Sequence, residues 1–279
     1  MTSPANEPPM LMIRPPRGWA GFGLGEIIER RELLYFLIWR DIKVRYKQTV
    51  LGAAWAVLQP FLLMVVFSIF LGRLADVPSE NVPYPVFVYS ALVPWTLFAS
   101  SLSACSDILI ANQALVSKVY FPRLILPVAA AGSFVIDFAI AFVILVVMMI
   151  WYGIAPTVNV VWVPAFTLLA FVTAVGVGIW LAALNVKYRD VRYAVPFLVQ
   201  VWLFATPVAY PASLVPQEWQ WVYGLNPMAG VVEGFRWALL GTPAPSWGLV
   251  TASAVIALAT LVGGAAFFHR SELYFADLI

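Results

Sequence analysis

Between Asp137 and Lys187 the chain reads FAIAFVILVVMMIWYGIAPTVNVVWVPAFTLLAFVTAVGVGIWLAALNV, residues 138–186, which is 49 positions without an Asp, Glu, Lys or Arg. A helix needs about 20 apolar residues to cross the hydrocarbon core of a bilayer. The run is therefore too long for one crossing, and glycine and proline in Trp151-Tyr-Gly-Ile-Ala-Pro156 mark where the first helix ends and a second begins. Outward from this stretch, further charge-free runs cover 48–72, 81–106, 124–136, 193–217 and 237–269. Together they predict spans over 53–74, 86–108, 125–150, 161–184, 194–211 and 247–268. The fold class is an all-α polytopic membrane protein with six transmembrane helices.

Composition agrees. The chain of 279 residues is 62% hydrophobic and 11% charged, where soluble domains run near 45–50% and about 25%, and its mean hydropathy is +0.89. Sixteen Lys and Arg against 14 Asp and Glu exclude a nucleic-acid binder that works through overall basic charge. One cysteine, Cys105, excludes a disulfide framework, and one histidine, His269, excludes a histidine-based metal or proton-relay site.

Orientation follows from Lys and Arg near the helix ends. Arg14, Arg17, Arg30, Arg31, Arg40, Lys43, Arg45, Lys47, Lys118, Arg123, Lys187, Arg189, Arg192 and Arg270 fall on one side, and only Arg73 and Arg236 on the other. This bias places both termini in the cytoplasm and fits an even number of spans. No cleavable signal peptide is predicted, because the first 47 residues offer no uninterrupted apolar run after a basic start.

Residues 1–25, with Pro4, Pro8, Pro9, Pro15 and Pro16, are expected to be a disordered cytoplasmic tail. Residues 26–48 follow as an amphipathic helix lying in the membrane interface. Tyr35, Ile38, Trp39, Ile42 and Tyr46 share one face, and Arg40, Lys43 and Lys47 share another. Residues 49–279 form the transmembrane domain. Between spans five and six, the segment 212–246 contains a short helical pattern carrying Glu233 and Arg236, a pair that a lipid-exposed span would not place at its centre. It is expected to be a re-entrant hairpin on the outer side, with Asn226 and Pro227 at its turn and Glu233 and Arg236 as a local ion pair. Asp137 is the one acid well inside a span. It fits either an interhelical hydrogen bond or a functional carboxylate. Ala170, Ala174, Gly178 and Ala182 form a small-residue ladder suited to close helix packing, and Cys105 is read as an inert filler.

Four segments carry a family resemblance: Leu33 to Gly52 leading to Trp55 and Gln59-Pro60; Val116-Ser-Lys-Val-Tyr-Phe-Pro-Arg-Leu-Ile-Leu-Pro127; Leu184-Asn-Val-Lys-Tyr-Arg-Asp-Val-Arg192 running to Pro207-Val-Ala-Tyr-Pro211; and Leu225-Asn-Pro-Met228 to Phe235-Arg236. In this order and spacing the chain resembles the membrane subunit of ABC-2 type exporters, in the branch that exports lipid-linked polysaccharides such as O-antigen and teichoic acid chains. The proline-rich N-terminal tail departs from the pattern. The resemblance implies a multi-pass permease of the bacterial inner membrane: a homodimer paired with two copies of a separate ABC ATPase. ATP and Mg would be held by that partner, with no cofactor, no metal and no catalytic residue in this chain. The sequence fits that division, since it has no phosphate-loop motif. Gly21-Phe-Gly-Leu-Gly25 lacks the lysine and the preceding strand.

A subunit without a nucleotide site receives its stroke mechanically, through cytoplasmic surfaces. The candidates are Arg40, Lys43 and Lys47 on the interfacial helix; Asn112, Lys118, Tyr120, Phe121 and Arg123 in the 109–124 loop; and Arg189 in the 185–193 loop. Lys118, Arg123 and Arg189 also read simply as topology markers. For the pathway, Trp55, Gln59, Leu62, Val66 and Phe70 share one face of span one. Phe197, Gln200, Val201, Phe204 and Val208 share one face of span five. Uncharged walls of aromatics and amides suit a sliding glycan; the same stripes also suit helix packing. A membrane-embedded transferase would need clustered catalytic groups, and none cluster here. A drug or small-lipid exporter of the same superfamily is the nearer alternative.

The charge bias fixes an expected labelling pattern. In a Cys105→Ser background, Ser79→Cys and Ser213→Cys react in intact cells with an impermeant thiol reagent, and Ser117→Cys does not. Labelling at 117 with protection at 79 inverts the orientation.

Overall fold

The computed structural model describes residues 28–47, 54–119 and 121–278. The expected tail, the first residues and the end of the 26–48 segment, and Tyr120 lie outside the described residues. The described chain is built of helices: α1 (Arg31–Lys47), α2 (Ala54–Phe67) continued by π-helical turns over Ser68–Leu74, α3 (Tyr84–Ala111), α4 (Gln113–Lys118), α5 (Ile125–Gly132), α6 (Val135–Trp151), α7 (Val163–Lys187) entered through a 3-10 turn at Val158–Trp162, α8 (Val191–Ala205), α9 (Gln220–Gly224), α10 (Pro227–Leu240) and α11 (Trp247–Leu278).

Among the described residues, five helical stretches are long and apolar enough to cross a membrane: Ala54–Leu74, Tyr84–Ala111, Ile125–Trp151, Val158–Lys187 and Trp247–Glu272. They coincide with five of the expected spans. Hydrocarbon offers backbone groups no partner, so an apolar run of this length is driven to helix, where each turn satisfies the next. The expected span 194–211 is different. Its helix, α8, has 15 residues and ends at Ala205, about 22 Å at 1.5 Å per residue. Pro207 is the cause: proline disfavours a helical residue before it, and Thr206 is extended at φ −101°, ψ 144°. The chain nonetheless runs the length of α3. Arg192 Nε lies 3.6 Å from Asp107 Oδ1, Trp202 meets Phe98 edge to face at 4.9 Å, and the Tyr84 hydroxyl donates to the Ala209 carbonyl at 2.7 Å.

The third span is also interrupted. It divides at Ser133–Phe134 into α5 and α6, with Ser133 Oγ donating to the Ala130 carbonyl at 2.7 Å. Asp137 therefore stands in the first turn of α6 instead of well along one continuous helix.

The core sits around α3. Its most apolar stretch is 78% buried, against 17–39% for the other four long helices, so α3 is a central post and the others keep an outward face. Ala170, Ala174, Gly178 and Ala182 on α7 are all buried, and the missing side chain of Gly178 is what lets Cys105 of α3 approach. The Cys105 thiol donates to the Pro127 carbonyl at 3.0 Å. On its other side α7 packs against α11. A Cβ on Gly176 would lie 2.8 Å from the Leu261 nitrogen. The two helices run parallel, with Trp162 against Trp247 at one end and Trp180 stacked on Phe267 at 5.0 Å toward the other.

The ends of the bundle differ. One gathers Arg123, whose Nη1 donates to the Glu272 carbonyl at 2.7 Å, together with Arg192 beside Asp107, and is called here the basic end. At the other lie α9, α10 and the turns around them, the hairpin end.

Close packing at Gly178 predicts that Gly178→Val, which forces branched atoms onto Cys105, costs about 1–3 kcal/mol and lowers the melting point of the purified protein. Leu168→Val, on an exposed face of the same helix, leaves it unchanged. Equal melting of both variants would contradict the packing.

Candidate functional site

At the hairpin end the chain leaves α8 as Thr206-Pro-Val-Ala-Tyr-Pro211, which cannot continue a helix. Its carbonyls are thereby deprived of helical donors. Arg236, on α10 and fully enclosed at 2% exposure, supplies them. Nη1 donates to the carbonyls of Pro207 at 2.7 Å and Tyr210 at 3.3 Å. Nη2 donates to Val208 at 2.6 Å and Nε to Phe87 of α3 at 3.2 Å. The guanidinium carbon lies 3.5 Å from the centre of the Phe87 ring, adding a cation–π contact.

The helix that carries Arg236 is set by Asn226-Pro227. Asn226 Oδ1 caps α10 by accepting from the Met228 N–H at 3.0 Å, and Pro227 occupies the first helical position, where its lack of an N–H is harmless. The same Oδ1 accepts from Trp202 Nε1 at 2.9 Å. The Asn226 amide donates to the Ala205 carbonyl at 3.1 Å and to Thr206 Oγ1 at 2.9 Å. One asparagine thus joins α8 to the turn between α9 and α10. At the far end Gly241 closes α10 in the left-handed region at φ 70°, and Thr157 Oγ1 donates to the Ala238 carbonyl at 2.9 Å.

The expected Glu233–Arg236 ion pair is not formed. The guanidinium turns to main-chain carbonyls because those are the groups left without donors, and Glu233, half-buried, borders a cavity of about 510 Å³ with Tyr223, Ser213 and Ser246. A neighbouring cavity of about 490 Å³ is walled by Tyr210, Trp219, Tyr223 and Asn226.

Beside the middle of α3, near Leu97 and Ser100, Asp137 is tied to α1. Arg45 Nη1 pairs with Asp137 Oδ2 at 3.0 Å, Arg45 Nη2 donates to Ser133 Oγ at 2.8 Å, and the Tyr46 hydroxyl donates to Asp137 Oδ1. The Arg45 guanidinium also covers the Phe134 ring at 3.7 Å. Burial, reinforced by the bond to Asp137, pushes the Tyr46 hydroxyl up to about 12, so it remains a donor. Elsewhere on α1, Leu37 and Ile42 are buried and Ile38 packs against the α5 side, under Gly132. Tyr35, Phe36 and Trp39 are exposed.

Of the proposed coupling residues, Arg40 pairs with its neighbour Asp41 at 2.8 Å, Lys43 lies over Trp39 at 5.3 Å and Lys47 is exposed. Asn112 forms the joint between α3 and α4, donating to the Ile108 carbonyl at 3.1 Å. Val116 and Phe121 are buried anchors, which leaves Lys118 exposed on α4. Arg123 is tied to Glu272, and Arg189 is exposed in the turn before α8.

The two faces read as a pathway both lie on the surface of the protomer. Trp55, Gln59, Leu62, Val66 and Phe70 are exposed along α2 and its π-helical extension, and Phe197, Gln200, Val201 and Phe204 along α8. Val208 is fully buried and leaves that face. An edge-to-face contact between Phe67 and Phe204, with ring centres 6.5 Å apart, joins the two helices.

The pattern of the ABC-2 type transporter family matches residues 32–240, from α1 through α10. The chain belongs to the ABC-2 type transporter family. Among its relatives, the O-antigen export system permease protein RfbA of Myxococcus xanthus is 29% identical over 257 residues, which is 91% of this chain and 98% of that one. RfbA of Klebsiella pneumoniae is 29% identical over 206 residues, 74% and 79% of the two chains. The polysialic acid transport protein KpsM of Escherichia coli is 24% identical over 240 residues, 85% and 92%.

Neither the Arg45–Asp137 tie nor the role of Arg236 was named from sequence. The first had one visible signal: an acid inside a span requires a partner, and Arg45 and Tyr46 end the helix expected to lie nearby. Breaking the tie should be measurable. Asp137→Ala leaves a partly buried cation without its carboxylate and is expected to cost about 1–3 kcal/mol, with α1 released sooner by limited proteolysis. The double change Asp137→Leu with Arg45→Met should recover part of the loss. Proteolysis of Asp137→Ala at the wild-type rate would remove the tie from the stability of α1.

Proposed function

We propose that this ABC-2 type chain is the permease subunit of an ATP-driven exporter that moves a lipid-linked polysaccharide, of the O-antigen kind, across the bacterial inner membrane. Two copies form the pathway, and two copies of a separate ABC ATPase, which bind ATP and Mg, drive it. The names of the RfbA relatives, and the near-complete coverage of the one from Myxococcus xanthus, support the substrate class. In this reading the basic end is cytoplasmic, in accord with the Lys and Arg bias. The chain crosses six times, the fifth crossing being α8 with its extended continuation to Ala209, which runs from Asp107 to Tyr84 along α3. The α9–α10 hairpin enters the outer leaflet and returns, its turn held at the level of Trp202 by Asn226.

The observation that carries the proposal is the exposed, uncharged surface shared by α2 and α8. A sugar polymer presents CH patches and hydroxyls in alternation. Aromatic rings offer the patches sliding contact, and Gln59 and Gln200 exchange hydrogen bonds with the hydroxyls without creating a deep well. Pairing of two protomers across these faces would enclose them as a conduit. The stroke enters through exposed groups of the basic end: Lys118 on α4, Arg189 before α8, and the polar side of α1.

Phe204→Ala and Trp55→Ala, made separately, test this. Each is expected to reduce surface display of the polymer about tenfold, the effect of losing about 1.4 kcal/mol of ring contact, with ATPase activity and recovery of the complex retained. Normal display in both variants removes the conduit. Loss of the assembled complex assigns the faces to packing.

A further inference from the structure

The two cavities at the hairpin end are not used by the conduit just described, yet they lie at its outer mouth. The one bordered by Ala205 begins one residue beyond Phe204, the last residue of the α8 face. Tyr223 lines both, and its hydroxyl is shielded from solvent with no hydrogen-bond partner among the described residues. Its ring, with the hydroxyl turned into protein, forms the wall that the two cavities share. Around it stand the groups a pyranose ring uses: the Glu233 carboxyl for hydroxyl pairs, Ser213 and Ser246 as small polar partners, and the exposed Trp219 ring for a CH face. Each cavity falls in the size range of small-ligand sites.

We propose that the paired cavities form an exit subsite that holds one neutral sugar residue of the exported glycan, and that this subsite disfavours acidic polymers. It rests on the exporter reading above and adds the chemical class of the substrate. Charge decides the class. No described lysine or arginine lines either cavity. The segments 75–83 and 206–246 of this end carry Asp76, Glu80, Glu218 and Glu233. Of the two cations at this end, Arg73 stands on the π-helical extension of α2, outside both cavity linings, and Arg236 is occupied by four carbonyls. A phosphate or a sugar carboxylate placed here would meet Glu233 with nothing to pair it. A lipid headgroup is disfavoured on the same ground, because its phosphate needs a donor or a cation.

The test uses the permease–ATPase complex in lipid nanodiscs, with saturation-transfer NMR on two probes, mannotetraose and α2,8-linked tetrasialic acid. Wild type is expected to transfer saturation to mannotetraose and not to tetrasialic acid. Trp219→Ala, which removes the ring for the CH face, should lower the mannotetraose signal about fivefold, and Glu233→Ala about tenfold. Glu233→Lys places a cation in the same cavity and should gain binding of tetrasialic acid. That gain is a readout that a merely destabilised hairpin does not produce. Undiminished mannotetraose transfer in both loss variants, or equal transfer to the two probes in wild type, overturns the subsite and leaves the exporter reading standing. Surface display of polymer after deletion of the gene is scored in parallel. Display that survives deletion overturns the exporter reading, and the subsite with it.

Discussion

A guanidinium enclosed by main-chain carbonyls organises the hairpin end of this molecule. Placing an arginine in the centre of a bilayer costs about 2.5–3.5 kcal/mol even by the milder scales, and leaving several carbonyls without donors at the same depth costs more. Arg236 and the 207–210 segment each cancel the other's deficit. The proline that stops α8 creates acceptors, and the arginine of α10 consumes them. From this follow the short α8, the seat of α10 against Phe87, and the position of Glu233, which is left facing a cavity because its expected partner is engaged elsewhere.

Arg45 plays a smaller version of the same part beside the middle of α3. There the acceptor is a side chain, Asp137, and the site is only partly enclosed, so the tie binds α1 to α6 without burying it. Arg236 lies beside the start of α3, at Phe87, and Arg45 beside its middle, at Leu97 and Ser100; α3 is the most enclosed helix of the bundle. Both also stack on phenylalanine, Arg45 on Phe134 and Arg236 on Phe87. A ring face lets a guanidinium be covered without losing the donors at its edge.

Much of this fold was legible in the sequence, and the parts that were not share a cause. Charge-free runs located five long helices, because in a bilayer a charge is the costliest residue and its absence marks the span. The Gly-and-Pro break at 151–156 separated α6 from α7 correctly. The expected end of α8 overshot, since apolar composition continues through Val208 and Ala209 while Pro207 has already ended the helix. Asp137 was singled out, but its partner lies 92 residues away, beyond any local pattern. Glu233 and Arg236 looked like an i,i+3 pair because sequence displays side chains, whereas the competing acceptors are backbone oxygens that every residue carries. The faces of α2 and α8 were visible as stripes, and their exposure together with the Phe67–Phe204 contact is what the structure adds.

The parallel packing of α7 on α11 bears on how the protein is made. Trp180 donates to the Thr260 carbonyl across 80 residues of chain, and Gly176 and Gly264 form a seam that neither helix can close alone. During synthesis α7 emerges before α11, and its glycine groove stays open until nearly all of the polypeptide has been made. Contacts of such sequence separation are slow to form. A nascent or truncated permease therefore shows the membrane quality-control machinery a small-residue groove that the finished molecule hides, and loss of α11 marks the chain as incomplete.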